Sequence, residues 1–195
     1  PRHAGCILVG NSMSQPIPHE VEVKLAVPSA DSAQEMLRRA GFLESIPRSF
    51  ESNVVFDTPA SELYQSRRLL RLRDFRDQAI VTFKGPPEPG PHKSRPEVET
   101  LVADPAAFQQ ILLGLGYEVV FRYEKFRTTF QQPDQPGHAV LDETPIGVYL
   151  ELEGPAAWID STAALLGFEP SQYVLQSYAS LYQDYRARTA AASKH

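Results

Sequence analysis

The chain has 195 residues, 42% of them apolar, and a formal net charge of −5. That length suits one domain, the apolar share excludes a wholly disordered chain, and the acidic balance argues against a duplex nucleic acid held by bulk phosphate neutralisation. No run approaches the roughly 18 apolar residues of a membrane helix, and the single Cys6 excludes an intramolecular disulfide framework, so a cytoplasmic protein with no membrane partner is expected.

Residues 1–18 read as an N-terminal extension, too polar for a signal peptide, with Met13 as an internal candidate start. HEVEVKLAV (19–27) alternates charged and apolar residues, the period of a strand with two unlike faces. Ser29 to Ala40 reads as a helix stopped by Gly41, and SNVVFDT (52–58) as a short strand. A helical turn over 61–66 leads into a hairpin, RRLLRLRD (67–74) with AIVTFKG (79–85). The Pro- and Gly-rich stretch 85–95 predicts a mobile loop, after which PEVETLV (96–102) resumes the alternation. Asp104-Pro105 starts a second helix closed by Gly116. Strands follow at 117–130, 138–143 and 147–153, then helices at 155–166 and 171–186, and a tail at 187–195.

Six of these strands carry functional side chains at i, i+2 spacing: Glu20-x-Glu22-x-Lys24, Arg71-x-Arg73, Thr82-x-Lys84, Glu97-x-Glu99, Lys125-x-Arg127 and Glu151-x-Glu153. Period 2 places each set on one face of its strand. A solvated sheet face is the plain reading of one such strand. Six of them, with acids and bases segregated strand by strand and apolar residues between, favour a closed barrel with a charged interior and helices packed outside. Lys and Arg neutralise a polyphosphate, whereas carboxylates tolerate one only with hard cations between them, for which Mg²⁺ or Mn²⁺ suits oxygen ligands. Asp142 adds a carboxylate close to the last acidic strand.

HEVEVK, LLRLRD, TFKGP, RPEVET, KFRTTF, LD at 141–142 and YLELEG, in that order, resemble the signature of the CYTH superfamily, the triphosphate tunnel metalloenzymes, over roughly residues 19–185. The resemblance implies an α+β fold: an eight-stranded antiparallel β-barrel, or tunnel, spanning residues 19–186. It further implies Glu20, Glu22, Asp142, Glu151 and Glu153 as metal ligands, and Lys24, Arg71, Arg73, Lys84, Lys125 and Arg127 as a triphosphate clamp. Glu97 and Glu99 would serve a metal or orient the bases, and Lys24, Glu22 and Glu153 would stand closest to the chemistry. The expected activity is metal-dependent hydrolysis of a small-molecule triphosphate (inorganic, nucleoside or thiamine), by a monomer or homodimer. A class IV-type adenylyl cyclase is the alternative, and a non-catalytic polyphosphate- or nucleotide-binding module the second.

The other residues are expected to be ordinary. The histidines make no metal constellation, and His92, Lys93 and Arg95 belong to the 85–95 loop, a surface loop or a lid over substrate. Arg122 and Glu124 have outward parity, Arg67 and Arg68 are ambiguous, and Arg186 and Arg188 are the only bases of the last helix. Trp158, Tyr178 and Tyr185 read as packing residues.

Overall fold

The computed structural model describes residues 17–192. Most of the expected N-terminal extension, with Cys6 and Met13, lies outside the described residues, as does His195.

Alternating strands build the frame: β1 (His19–Val27), β2 (Leu43–Asp57), β3 (Leu69–Phe75), β4 (Gln78–Lys84), β5 (Lys93–Val102), β6 (Glu118–Gln131), β7 (His138–Thr144) and β8 (Gly147–Glu153). Neighbours are antiparallel in the order β1-β5-β4-β3-β2-β6-β7-β8, and β1 pairs with both β5 and β8, which closes the barrel. The helices are α1 (Ala30–Arg39), α2 (Glu62–Gln65), α3 (Pro105–Gly114), α4 (Ala156–Leu165) and α5 (Tyr178–Ala192). The expected α+β class and eight-stranded closure are therefore what the chain adopts. No helix among the described residues is long and apolar enough to cross a membrane.

Closure follows from which face finds a core. Val23, Leu25 and Val27 of β1 and Leu150 and Leu152 of β8 point outward and bury against Leu37 of α1 and Trp158, Ile159 and Ala163 of α4. Leu112 of α3 covers Phe56 and Leu72 on the opposite side. Each such side chain contributes about 1.5–3 kcal/mol on burial, which opposes the cost of a charged interior. Local signals agree with this packing. Ser29 caps α1 in a capping box, and Asp104 accepts from the Ala107 N–H ahead of Pro105. Trp158 seats on Gly137 and Gly154, where a Cβ on Gly137 would fall 2.3 Å from the ring, and this locks the start of β7 to the end of β8.

Three expectations need correction. The strand read at 52–58 begins at Leu43; Pro47 and the polar residues beside it hide the alternation, and the register shifts between Glu44 and Ser49 accommodate them as bulges. The loop read at 85–95 ends at His92, because Lys93, Ser94 and Arg95 already belong to β5, where Lys93 and Arg95 are buried. The helix read at 171–186 starts at Tyr178, after a short 3-10 turn at Pro170–Gln172 and an extended segment whose Val174 pairs with Lys24. It then runs to Ala192.

Candidate functional site

The inward face of β1 carries Glu20, Glu22 and Lys24, and the register decides what each one meets. Glu20 faces Arg95, Glu22 faces Lys93, and Lys24 faces Glu151. On the other strands Lys84 faces Glu97, Thr82 faces Glu99, Glu51 faces Lys125, and Arg127 faces Asp142. Opposite charges directly across a sheet attract. Within the tunnel one directly opposed pair breaks the pattern: Glu22 stands across from Glu153.

The interior divides into two halves. In the first, around β2, β6, β7 and β8, the buried charges pair with one another, although Glu51 Oε2 makes no hydrogen bond among the described residues. Asp142, fully buried, accepts from Lys125 Nζ at 2.6 Å, from Arg127 Nε and Nη2 at 2.8 and 2.7 Å, and from the Tyr178 hydroxyl at 2.8 Å. Arg127 also donates to Glu151 at 2.6 Å, and Lys24 lies 3.0 Å from Glu151. The Lys24 and Lys125 ammoniums stand 5.3 and 4.7 Å from the Tyr178 ring centre. Burial and the Asp142 carboxylate push the Tyr178 hydroxyl well up, so it remains a donor. α5 thus delivers a tyrosine into the lining at the tunnel end that Val55, Tyr123 and Leu181 fill.

Glu51, fully buried, belongs to this half, 3.4 Å from Lys125 and 3.6 Å from Arg127. Burial alone would raise its carboxyl, but Lys125, Arg127, Arg71 and Arg73 hold it well below the usual carboxylate range. The unfolded chain therefore takes up this proton first as pH falls. The stabilisation is complete above about pH 4.3 and is lost progressively below it. Between about pH 6 and pH 3 the wild-type melting temperature should fall more steeply than that of Glu51→Gln, as scanning calorimetry would read.

The second half is less satisfied. The Nε–H groups of Arg71, Arg73 and Arg95 are buried with no hydrogen-bond partner among the described residues. Glu99 takes Thr82 at 2.6 Å and Arg73 at 2.8 Å, and Lys84 bridges Glu20 at 2.5 Å and Glu97 at 3.0 Å. Burial and the neighbouring Glu20 push the Glu97 carboxyl up to about 8, so it keeps its proton at neutral pH. Burial and the adjacent Lys24 and Arg95 push the Lys93 ammonium down to about 8. The cavity between the halves measures about 670 Å³, and eight Lys and Arg side chains but six carboxylates line it, so its field favours an anion.

Carboxylate oxygens of Glu20, Glu22 and Glu153 lie within 4.8 Å of one another. Glu153 pairs with His138 at 3.2 Å, at the tunnel end fixed by Trp158. Three oxygen donors, two of them like charges forced opposite each other, suit a hard divalent cation. Of the five residues expected to bind metal, these three gather. Asp142 and Glu151 stand outside the group; cations engage them, as Lys84 engages Glu20 and as Lys24 and Lys93 engage Glu22. All six expected clamp residues line the cavity.

Glu51, Asn53, Tyr123 and His138 carry no signal of their own in the sequence, and Lys93 and Arg95, expected in a surface loop or lid, line the tunnel from β5. Parity with Glu97 and Glu99 would have found Lys93 and Arg95, had the prolines not argued for a loop. Tyr178 packs as expected and its hydroxyl also donates to Asp142; Tyr185 is half-exposed. Arg122 and Glu124 do face outward.

Together, the fold and its lining define a closed antiparallel tunnel with a cationic wall facing a carboxylate group. The CYTH domain family matches residues 18–159, and the chain belongs to that family. A relative from Methanocaldococcus jannaschii named "Putative adenylate cyclase MJ0240" is 29% identical over 134 residues, which is 69% of this chain and 75% of the relative. The X-ray structure of a Vibrio parahaemolyticus protein, also described as a "putative adenylate cyclase", superposes with a TM-score of 0.74 at 21% identity, covering 87% of this chain and 99% of that one. A Hippeastrum protein, described as a "putative adenylyl cyclase" that reveals a dominant triphosphatase activity, superposes at 0.61 with 17% identity, over 85% of this chain and 95% of that one. The two structures share the fold with this chain.

Proposed function

We propose that the chain hydrolyses the terminal phosphoanhydride of a triphosphate compound with Mg²⁺ or Mn²⁺ bound by Glu20, Glu22 and Glu153. The observation that carries this reading is the juxtaposition inside one cavity: an acid–acid pair across β1 and β8, and a wall in which the buried Nε–H groups of Arg71, Arg73 and Arg95 lack hydrogen-bond partners among the described residues. The charges have partners of opposite sign within the tunnel, but the like-charge pair and the three unpartnered N–H groups are left over, and buried polar groups need partners. A metal–triphosphate complex supplies both signs at once.

Arg71, Arg73, Lys84, Lys125 and Arg127 hold the phosphate chain, and Lys93 and Arg95 extend the clamp. Arg forks onto two oxygens and fixes the chain's direction, while Lys24, kept charged by Glu151 and Glu22 despite its burial, supplies a point charge deep in the tunnel. Holding the chain straight places the terminal phosphorus where water attacks in line. The bond from water oxygen to phosphorus forms, the bridging P–O bond breaks, the electron pair leaves on the remaining diphosphate, and the proton of the attacking water passes to solvent. Held by Glu20, Glu22 and Glu153, the ion would supply Lewis-acid stabilisation of negative charge on the phosphate oxygens. Asp142 and Glu51 act by holding Lys125 and Arg127 in place.

One observation favours a second reading, the cyclase. A second cavity, of about 1200 Å³, shares Lys93, Arg95, Val55 and Leu69 with the tunnel lining beside the crossover before α5, with Phe121, Tyr182, Arg67, Arg68 and Arg186 around it. That space would admit a nucleoside. Incubating the protein with Mg²⁺ or Mn²⁺ and either inorganic triphosphate or ATP, with products read by phosphorus NMR and chromatography, tests both readings. Orthophosphate with diphosphate or ADP is the expected result. Cyclic AMP with pyrophosphate would replace hydrolysis with cyclisation, and tight binding without any product would leave a binding module.

A further inference from the structure

Beside the tunnel, three side chains from three separate segments meet at one carboxylate oxygen. Asp160 Oδ1, on α4, lies 2.8 Å from His92 Nε2 and 3.0 Å from the Tyr173 hydroxyl, and the His92 and Tyr173 rings are 6.0 Å apart. Asp160 is ionised, its carboxyl held below the ordinary value first by the His92 bond and also by Tyr173. An ionised carboxylate only accepts, so His92 Nε2 carries its hydrogen and donates. The His92 ring is 10% exposed, well covered for a residue at the end of a loop.

What the three hold is informative. His92 immediately precedes Lys93, which stands opposite Glu22 and donates to its carboxylate at 2.5 Å. Tyr173 immediately precedes Val174, whose N–H and C=O pair with the Lys24 backbone at 2.8 and 3.2 Å. Both segments therefore lie end to end along one edge of β1, the edge that β5 leaves free after Glu22. Each adjoins a stretch with little regular structure: Gly85 to His92 contains four prolines, and residues 175–177 belong to no helix or strand. α4, anchored in the core by Trp158 and Ile159, provides the fixed point.

We propose that His92, Asp160 and Tyr173 form a knot that positions Lys93 and Arg95 for the anion, acting through the start of β5 without touching substrate. The knot rests on the triphosphate reading for its ligand but not for its structure. His92→Ala should raise hydrogen exchange across residues 85–95 while the β6, β7 and β8 amides keep their protection, in protein free of metal and substrate. With inorganic triphosphate as the probe, KM should rise about tenfold with kcat within about twofold, the pattern of lost uniform binding. His92→Gln, which retains a side-chain N–H, should recover most of both effects. Asp160→Ala added to His92→Ala should cost little more, because the residues act as a unit. Exchange unchanged in 85–95, or raised equally in every tunnel strand, would overturn the knot. If the wild type turns over no triphosphate, the function proposed above fails, and the exchange result decides the knot by itself.

Discussion

Asp142→Ala is expected to lower the melting temperature by roughly 10 °C, the largest stability loss of any single interior substitution considered. The carboxylate is fully buried and receives Lys125, two N–H groups of Arg127, and Tyr178. Removing one partner from a buried ion pair costs about 3–5 kcal/mol, because the remaining charge is left uncompensated. At about 2–4 °C per kcal/mol for a chain of this size, that is a fall of this order. Two cations freed at once would repel each other and Lys24. The loss therefore spreads to the α5 crossover through Tyr178. Thermal unfolding followed by circular dichroism checks it. A fall of only a degree or two would mean that Asp142 is not the organising acid of this half.

Glu153→Gln should do the reverse: leave the fold intact and remove the chemistry. Its carboxylate is partly exposed and pairs with His138, so the melting temperature should move by no more than about 3 °C, as for substitutions away from packed networks. Turnover of inorganic triphosphate should fall about 10²–10³-fold, the usual cost of losing one preorganised electrostatic contact. The divalent ion concentration for half-maximal rate should rise as well, because one of three oxygen donors has lost its charge. Steady-state kinetics over a range of Mn²⁺ concentrations would show both. An unchanged kcat would exclude Glu153 from the ion site.

The contrast between these variants explains why acids that look alike in the sequence do different work. Glu151 and Glu153 are two residues apart in one E-x-E ladder, yet Glu151 is matched by Lys24 and Arg127 while Glu153 faces Glu22. The ladder tells which face a residue occupies; strand order and register tell what it meets. That is why the charged lining is legible from period-2 spacing and the eight-stranded tunnel from the ordered motifs, whereas which acids meet cations and which meet each other is not. Glu51 escaped because the serines and Pro47 around it interrupt the alternation that marks a strand. Lys93 and Arg95 escaped because prolines outweighed parity. Tyr178 escaped because helical periodicity cannot show that a helix begins inside a barrel.

The most direct test of the account is the number of divalent ions that the protein holds when triphosphate is present. Electron paramagnetic resonance of Mn²⁺, titrated into the protein with and without inorganic triphosphate, reads this from the free-ion signal. Tight Mn²⁺ binding that strengthens with triphosphate, and weakens sharply in Glu153→Gln but not in His92→Gln, is the result expected of an ion held between Glu20, Glu22 and Glu153 and the phosphate chain. Triphosphate binding that is equally tight without any divalent ion, with the Mn²⁺ signal indifferent to Glu153, would contradict it.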